Sequence, residues 1–214
     1  MKPAAKDGIL PPRLPKGLAL AGLAGLEDLV EISQVRLVEG DFSGVQAEGV
    51  LFEQVHIRRT VFLQSRLERL RLFDCRLEGC ECSGAVWEKA RLRRVELAGC
   101  RLLGTDFAEG RFEDVRFSDC ILEGAVFGLA GFKAARFEGC NLREASFEGA
   151  ALAGVVFERC DLSGADMRGA KLTGTDFSSS IIDGMKAGAG EMQGAIISVS
   201  QAVQVVGLLG VIVK

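Results

Sequence analysis

The sequence predicts an all-β solenoid, and three observations lead to this prediction. Every fifth residue from Leu37 to Ile182 is apolar, over 30 consecutive positions. The residue two places before each of these is nearly always small, with Leu70 the only bulky exception. Glycine often stands two places after, as at Gly79 and Gly124. Twelve of the 13 phenylalanines fall in this one register.

A period of five matches neither the 3.6-residue period of a helix nor the alternation of a long strand. It matches a short extended segment followed by a corner, repeated along the chain. Two inward residues separated by one outward residue follow the alternation of a strand. Glycine then suits the corner, where a positive φ is required.

Four blocks carry a resemblance to a known family: CNLRE (140–144), ADMRG (165–169), AKLTG (170–174) and TDFSS (175–179). With these blocks the sequence resembles the pentapeptide-repeat family, whose consensus is roughly A(D/N)LxG, over about residues 30–197. The resemblance implies a right-handed quadrilateral parallel β-helix with four pentapeptides per coil, hence about eight coils. We expect an N-terminal tail and cap over 1–29, the β-helix over 30–197 and a capping segment over 198–214.

Like residues that recur at every fourth repeat support four repeats per coil independently of the family. Stacked coils place such residues in one column, about 4.8 Å apart. We interpret the cysteine column as small buried hydrophobes, because a straight column lacks the tetrahedral geometry of a zinc site. The columns are Cys80, Cys100, Cys120, Cys140 and Cys160, flanked by Thr60 and Ser180; Phe107, Phe127 and Phe147; and Phe117, Phe137, Phe157 and Phe177.

The C-terminal segment predicts a cap over the last coil. Ser198 followed by Gln201 is typical of a capping box that opens a short helix, and Gly210 closes it. Similar endings in the quinolone-resistance branch of the family form a lid that mediates two-fold dimerisation. We expect either a lid with a homodimer or a lid alone. The candidate cap and dimer residues are Val203, Val206, Leu208, Leu209, Val211 and Val213.

The outward residues divide among four faces, one for each repeat of a coil. We number the faces from residue 31: face 1 (31–35), face 2 (36–40), face 3 (41–45) and face 4 (46–50), each recurring once per coil. Face 1 is basic and face 2 is balanced, whereas faces 3 and 4 are acidic. The candidate partner surface comprises Glu48, Glu68, Glu88, Asp106, Glu148 and Asp166 on face 4 with the apolar Val61, Leu63, Leu103 and Ile121 on face 3.

The sequence provides no support for catalysis. It contains one histidine, His56, and no recognisable nucleophile with a base, dinucleotide-binding, P-loop or HExxH motif. We therefore predict a protein that is not an enzyme and has no cofactor and no metal. The seven cysteines form no CxxC pair, which favours free thiols in the cytoplasm, and neither terminus resembles a membrane span.

Two functions remain open. The first is an interaction scaffold with an unknown protein partner, because a rigid solenoid offers broad surfaces. The second, by analogy with the quinolone-resistance branch, is a DNA mimic that binds the type II topoisomerases DNA gyrase and topoisomerase IV. The net charge of −3 is small for a mimic, and it argues against direct binding of nucleic acid through bulk positive charge.

Overall fold

The computed structural model describes residues 8–23 and 25–208 of the 214-residue chain, which form a parallel β-solenoid and one short helix. No helix within those residues is long and apolar enough to cross a membrane. The elements are β1 (Ala19–Ala21), β2 (Glu31–Ser33), β3 (Val35–Val38), β4 (Gln46–Glu48), β5 (Leu51–Glu53), β6 (His56–Arg58), β7 (Arg66–Glu68), β8 (Arg71–Glu78), β9 (Arg91–Ala98), β10 (Arg111–Ser118), β11 (Gly131–Glu138), β12 (Val156–Glu158) and α1 (Ala202–Leu208).

The strands pair in parallel, and from β2 onward the paired residues lie four repeats apart along the chain. Arg111 in β10 pairs with Arg91 in β9 on one side and with Gly131 in β11 on the other. Isolated bridges continue the same register on the faces without long strands, as from Asp41 to Val61. The expectation of an all-β parallel solenoid with four repeats per coil is therefore confirmed.

The solenoid completes about seven turns, against the eight expected. The column from Asp41 to Ile181 keeps its register without a break. At residues 188–193 the backbone departs from the regular pentapeptide geometry and forms turns instead. There the Glu191 carboxylate accepts the backbone N–H groups of Gly169 and Gly188, at 2.9 and 3.0 Å. The register resumes where Ile196 pairs with Asp176, so the last coil is present but irregular.

The N-terminal segment contributes to the solenoid as well. Strand β1 pairs in parallel with β3, but Ala19 lies opposite Val35, where the regular register would place Pro15. The first coil is thus shorter than the others. Leu26 is buried against the core below it.

The inward column positions form a closed apolar core. Aromatic rings on successive coils stack on one another as the sequence predicts, with centroids 4.6 Å apart for Phe117 and Phe137 and 5.2 Å apart for Phe107 and Phe127. Phe112 and Phe132 form a further stacked pair at 4.5 Å. Trp87 continues the Phe107 column with an edge-to-face contact.

The corners depend on a left-handed backbone conformation. Glycines such as Gly79 and Gly124 supply it, with φ values of 60° and 64°. Non-glycine residues adopt the same conformation at other corners, for example Asp74 at 54° and Leu129 at 57°. The hydrogen bonds between coils therefore impose the corner geometry even where the side chain disfavours it.

The five cysteines of the column are buried and free. The Cys120 thiol lies 3.5 Å from the carbonyl oxygen of Leu97 and 3.4 Å from that of Ser118. Ser180, in the same column, donates its hydroxyl to the carbonyl of Phe157 at 2.8 Å. A hydroxyl can thus replace a thiol here without losing its acceptor.

We expect Cys120→Ser to change the free energy of unfolding by about 1 kcal/mol or less, because its hydroxyl finds a carbonyl equivalent to the one that Ser180 uses. Cys120→Leu overfills the column and should cost about 1–3 kcal/mol. Urea denaturation of both variants checks the prediction. A serine variant less stable than the leucine variant would contradict it.

Candidate interaction surfaces

The acidic candidates on face 4 divide into two columns. Glu48 pairs directly with Glu68 between β4 and β7, and Glu88 follows on the next coil. Ala108 and Gly128 then separate this row from Glu148. Asp106 and Asp166 lie in the neighbouring column, opposite Val86 and Ser146 on their preceding coils. The structure therefore brings together three of the six carboxylates and leaves the other three apart.

Cations on the same face neutralise part of this charge. Arg69 pairs with Glu48, and Arg66 lies 3.4 Å from Glu68. The hydrogen bond from the Arg168 guanidinium lowers the pKa of Asp166 below its usual value. Within the described part of the chain, Glu88 and Glu148 form no ion pair. Face 4 is thus an acidic surface interrupted by cations.

The apolar candidates on face 3 form two separate patches. Val61 and Leu63 lie on one coil, and Leu63 is 40% exposed. Leu103, 42% exposed, and Ile121 lie further along the solenoid. The Glu81–Arg101 ion pair, at 3.1 Å, lies between Val61 and Ile121 in their column.

Carboxylates on face 3 stabilise the turns in which they lie. Asp41 accepts the backbone N–H of Ser43 at 2.9 Å, and Asp161 accepts that of Ser163 at the same distance. The hydrogen bonds from the Ser43 side chain and backbone lower the pKa of Asp41. These groups keep their negative charge on the surface while they fix the local backbone.

The capping box predicted at Ser198 is present. The Ser198 backbone N–H donates to the Gln201 side-chain oxygen at 2.7 Å, and the Gln201 N–H donates to the Ser198 hydroxyl at 3.3 Å. The Gln201 amide nitrogen also donates to the carbonyls of Phe177 and Ser180, so it ties α1 to the last regular coil.

The candidate dimer residues are only partly visible in the structure. Val203 is 59% exposed, and Val206 is half-buried. Leu208 ends α1, whereas Leu209, Val211 and Val213, with the closing Gly210, lie outside the described residues. The exposed valines Val199 and Val203 give the outer surface of the cap an apolar character.

Residues 9–13 lie across the side of the solenoid, a feature that the sequence analysis does not predict. The backbone N–H of Leu10 donates to Asp114 at 3.1 Å, and that of Arg13 donates to Asp74 at 2.9 Å. The Gln54 side chain donates to the Arg13 carbonyl at 3.2 Å. The segment therefore spans several coils at the corner between faces 1 and 2.

Beneath that segment lies a buried ion pair. Asp74 is 5% exposed and accepts both hydrogen bonds of the Arg94 guanidinium. Burial raises the pKa of Asp74, but the hydrogen bonds from Arg94 and from the Arg13 backbone outweigh it and lower the pKa overall. Sequence reasoning counted both residues as surface charges. Their opposite charges at equivalent positions of successive coils were the available signal.

The described residues contain no cluster of three or more metal-ligating side chains. Burial raises the pKa of the Cys75 thiol to about 12 and also raises that of Cys82. Thiols with raised pKa values carry little thiolate at neutral pH and are poor nucleophiles. His56 Nε2 lies 3.1 Å from the Glu78 carboxylate on face 2.

These features define a class of protein: a parallel solenoid of five-residue repeats whose outward side chains form ordered rows. Two family models match the chain, one for a pentapeptide repeat region at residues 90–167 and 110–187, and one for pentapeptide repeats in eight copies at residues 71–108. The chain belongs to the pentapeptide-repeat family.

Two solved structures are similar to the chain, and the first of them shares its fold. HetL, a pentapeptide-repeat protein involved in heterocyst differentiation regulation in the cyanobacterium Nostoc sp. strain PCC 7120, is 20% identical; the alignment covers 80% of this chain and 84% of HetL, with a TM-score of 0.63. A trypsin-treated form of QnrB1, a plasmid-mediated fluoroquinolone resistance protein, is 21% identical over 92% of this chain and 98% of its own, but its TM-score is only 0.40. No curated protein sequence matches the chain.

Because the folded-state pKa of Asp74 is lowered, its ion pair stabilises the protein above the unfolded-state pKa of about 4 and loses this effect as the pH falls below it. We expect Asp74→Asn to destabilise the protein by about 1–3 kcal/mol at pH 7 and by clearly less at pH 3.

Urea denaturation at both pH values measures this difference. Glu148→Gln, at an exposed site, serves as the matched control and should have no effect at either pH. If Asp74→Asn lowers the free energy of unfolding equally at pH 7 and pH 3, the lowered pKa of Asp74 in the folded protein is contradicted.

Proposed function

We propose that this chain is a non-enzymatic scaffold that binds a protein partner with a basic surface along faces 3 and 4. The fold supports a repeat scaffold, because the core is closed and the variable chemistry lies on the outward columns. The observation that carries the proposal is the adjacency of the two acidic faces. They meet at one corner, where Gly84, Gly104 and Gly124 lie.

Three details support a binding role for this surface. Glu88 and Glu148 form no ion pair in the described part of the chain and are therefore available to a partner. The apolar patches at Leu63 and Leu103 lie on the neighbouring face 3, so a partner can combine apolar contact with charge complementarity. The stacked coils hold all these groups in place, which lowers the entropy cost of binding.

The DNA-mimic alternative is less well supported. A mimic of the DNA duplex needs a continuous row of unpaired negative charges. Arg66, Arg69 and Arg168 instead pair with carboxylates of face 4. Inhibition of DNA gyrase supercoiling by the purified protein, with and without a quinolone, tests this alternative directly.

We also place the protein in the cytoplasm. The seven cysteines of the chain are free and buried, as is usual in a reducing compartment.

The partner surface is tested by neutralising face 4 with Glu48→Gln, Glu68→Gln, Glu88→Gln and Glu148→Gln in one variant. We expect association with the partner to slow about 10- to 100-fold at low salt, because the acidic surface no longer attracts it. The readout is quantitative cross-linked capture from the native host, followed by kinetics with the purified partner.

The matched control carries the same charge change on faces 1 and 2: Glu31→Gln, Glu53→Gln, Glu78→Gln and Glu113→Gln. It should retain the partner captured by the natural protein. If both variants lose partner binding equally, the effect is one of net charge alone. If both retain partner binding equally, the proposed surface is overturned.

For the cap, we propose a homodimer through the outer surface of α1, supported by the exposed Val199 and Val203. Val199→Ser with Val203→Ser should weaken dimerisation about tenfold or more, because apolar area no longer becomes buried. Light scattering across a dilution series measures it, with Gln204→Ala as the control. A natural protein that is monomeric at high concentration would favour the lid alone.

A further inference from the structure

Face 1 contains a row of three arginines, which the fold places at directly paired positions of successive strands. Arg71, Arg91 and Arg111 occupy successive rungs of β8, β9 and β10 and pair in register. Their Cα atoms are therefore about 4.8 Å apart from rung to rung. Like charges at directly paired positions destabilise a sheet.

At several other places the protein offsets a surface charge with an opposite charge on the next coil. Arg76 lies 2.6 Å from Glu96, and Lys133 lies 2.7 Å from Glu113, each pair at equivalent positions of neighbouring coils. The arginine row departs from that pattern. An anion bound against it would remove the repulsion.

Carboxylates of the protein itself supply little compensation. In the described part of the chain, neither Arg91 nor Arg111 forms an ion pair. Arg71 lies 4.0 Å from the carboxylate of Glu31, at the limit of an ion pair. The positive charge of the row is therefore largely uncompensated.

Backbone carbonyls hold two of the three guanidinium groups in place without neutralising them. Arg71 donates to the carbonyl of Gly49 at 3.0 Å. Arg111 donates from one nitrogen to the carbonyls of Gly110 and Leu129, at 3.1 and 3.3 Å. Both side chains retain further N–H donors, since a guanidinium has five.

The row forms one wall of a surface groove of about 440 Å³, which we call the basic groove. Arg69 and Lys89 line the opposite wall, and Leu29 with Gly49 closes one end. Glu109 is its single acidic lining residue within the described part of the chain and lies 3.9 Å from Lys89. The lining of the basic groove thus holds five cations and one carboxylate, and Arg69 also pairs with Glu48 on face 4.

The length of the row limits what it can bind. Leu51 precedes Arg71 and Gly131 follows Arg111 in the same column, so the charged stretch ends at both sides. Three rungs at strand spacing span about 10 Å. That length suits a short chain of phosphates and is small against the extended charge of a nucleic-acid duplex.

We propose that the basic groove binds a linear polyanion of two or three consecutive phosphate groups. Each phosphate accepts hydrogen bonds from neighbouring guanidinium groups, in the paired geometry that arginine offers. A single carboxylate or monophosphate meets fewer of the three arginines and binds more weakly. Free triphosphate and the phosphate chain of a nucleotide share this chemistry.

Isothermal titration of the full chain with sodium tripolyphosphate at low salt tests the site. The variant Arg91→Gln with Arg111→Gln should weaken binding about 30-fold or more, because it removes two charged donors. The control Lys171→Gln, in the same column but beyond the uncharged Gly131 and Ala151, should bind as the natural protein does. ATP in place of tripolyphosphate distinguishes the sources: tighter binding of ATP indicates a nucleotide, equal or weaker binding a free phosphate chain.

Thermal unfolding provides a second measurement and also shows whether the variants are folded. Arg91→Gln relieves the repulsion, so the melting temperature of the ligand-free protein should rise by about 1–3 °C. Tripolyphosphate should raise the melting temperature of the natural protein and leave that of the double variant unchanged. The proposal is overturned if the natural protein does not bind tripolyphosphate at millimolar concentration, if the double variant binds equally well, or if a short DNA duplex binds more tightly at the same salt.

Discussion

The structure depends on the backbone hydrogen bonds that join each coil to the next in a constant register. Val61 donates to the carbonyl of Gly40 below it, and its own carbonyl accepts the N–H of Phe42, so each coil is bonded to the next through its backbone. Since these bonds do not involve side chains, the spacing of about 4.8 Å between coils is the same for every column. Each column then selects the side chains that tolerate a like neighbour at that distance.

The inward columns show what such a constraint favours. Flat aromatic rings stack well at this spacing, and Phe137 and Phe157 lie parallel with centroids 5.0 Å apart. Thiols and hydroxyls fit the narrower column, where Cys120 and Ser180 each reach a carbonyl of the coil below. The outward columns obey the same spacing with charges, and there the usual solution is an alternation of sign, as in Arg101 beside Glu81.

Much of this could be predicted from the sequence, because the core positions repeat locally. The cysteine column and the phenylalanine stacks follow from counting in fives and twenties. The left-handed corner conformation could be predicted only where glycine occurs, since Asp74 and Leu129 adopt the same conformation without being glycine. The crossing of residues 9–13 could not be predicted, because their partners Asp74 and Asp114 lie 61 and 104 residues away and belong to no repeat shared with that segment.

For the candidate surfaces, too, the sequence predicts only part of what the structure shows. Charge counts by face located the acidic and basic sides, but not which charges remain unpaired. That depends on side-chain reach: Arg69 turns towards Glu48, whereas Arg111 turns towards backbone carbonyls and keeps its charge. The basic groove lies at the corner of faces 4 and 1, with Arg69 and Lys89 on its face-4 wall, whereas the apolar candidates of face 3 lie on the side opposite face 1. The repeat permits this division because each face can change its outward residues without altering the core that the four faces share.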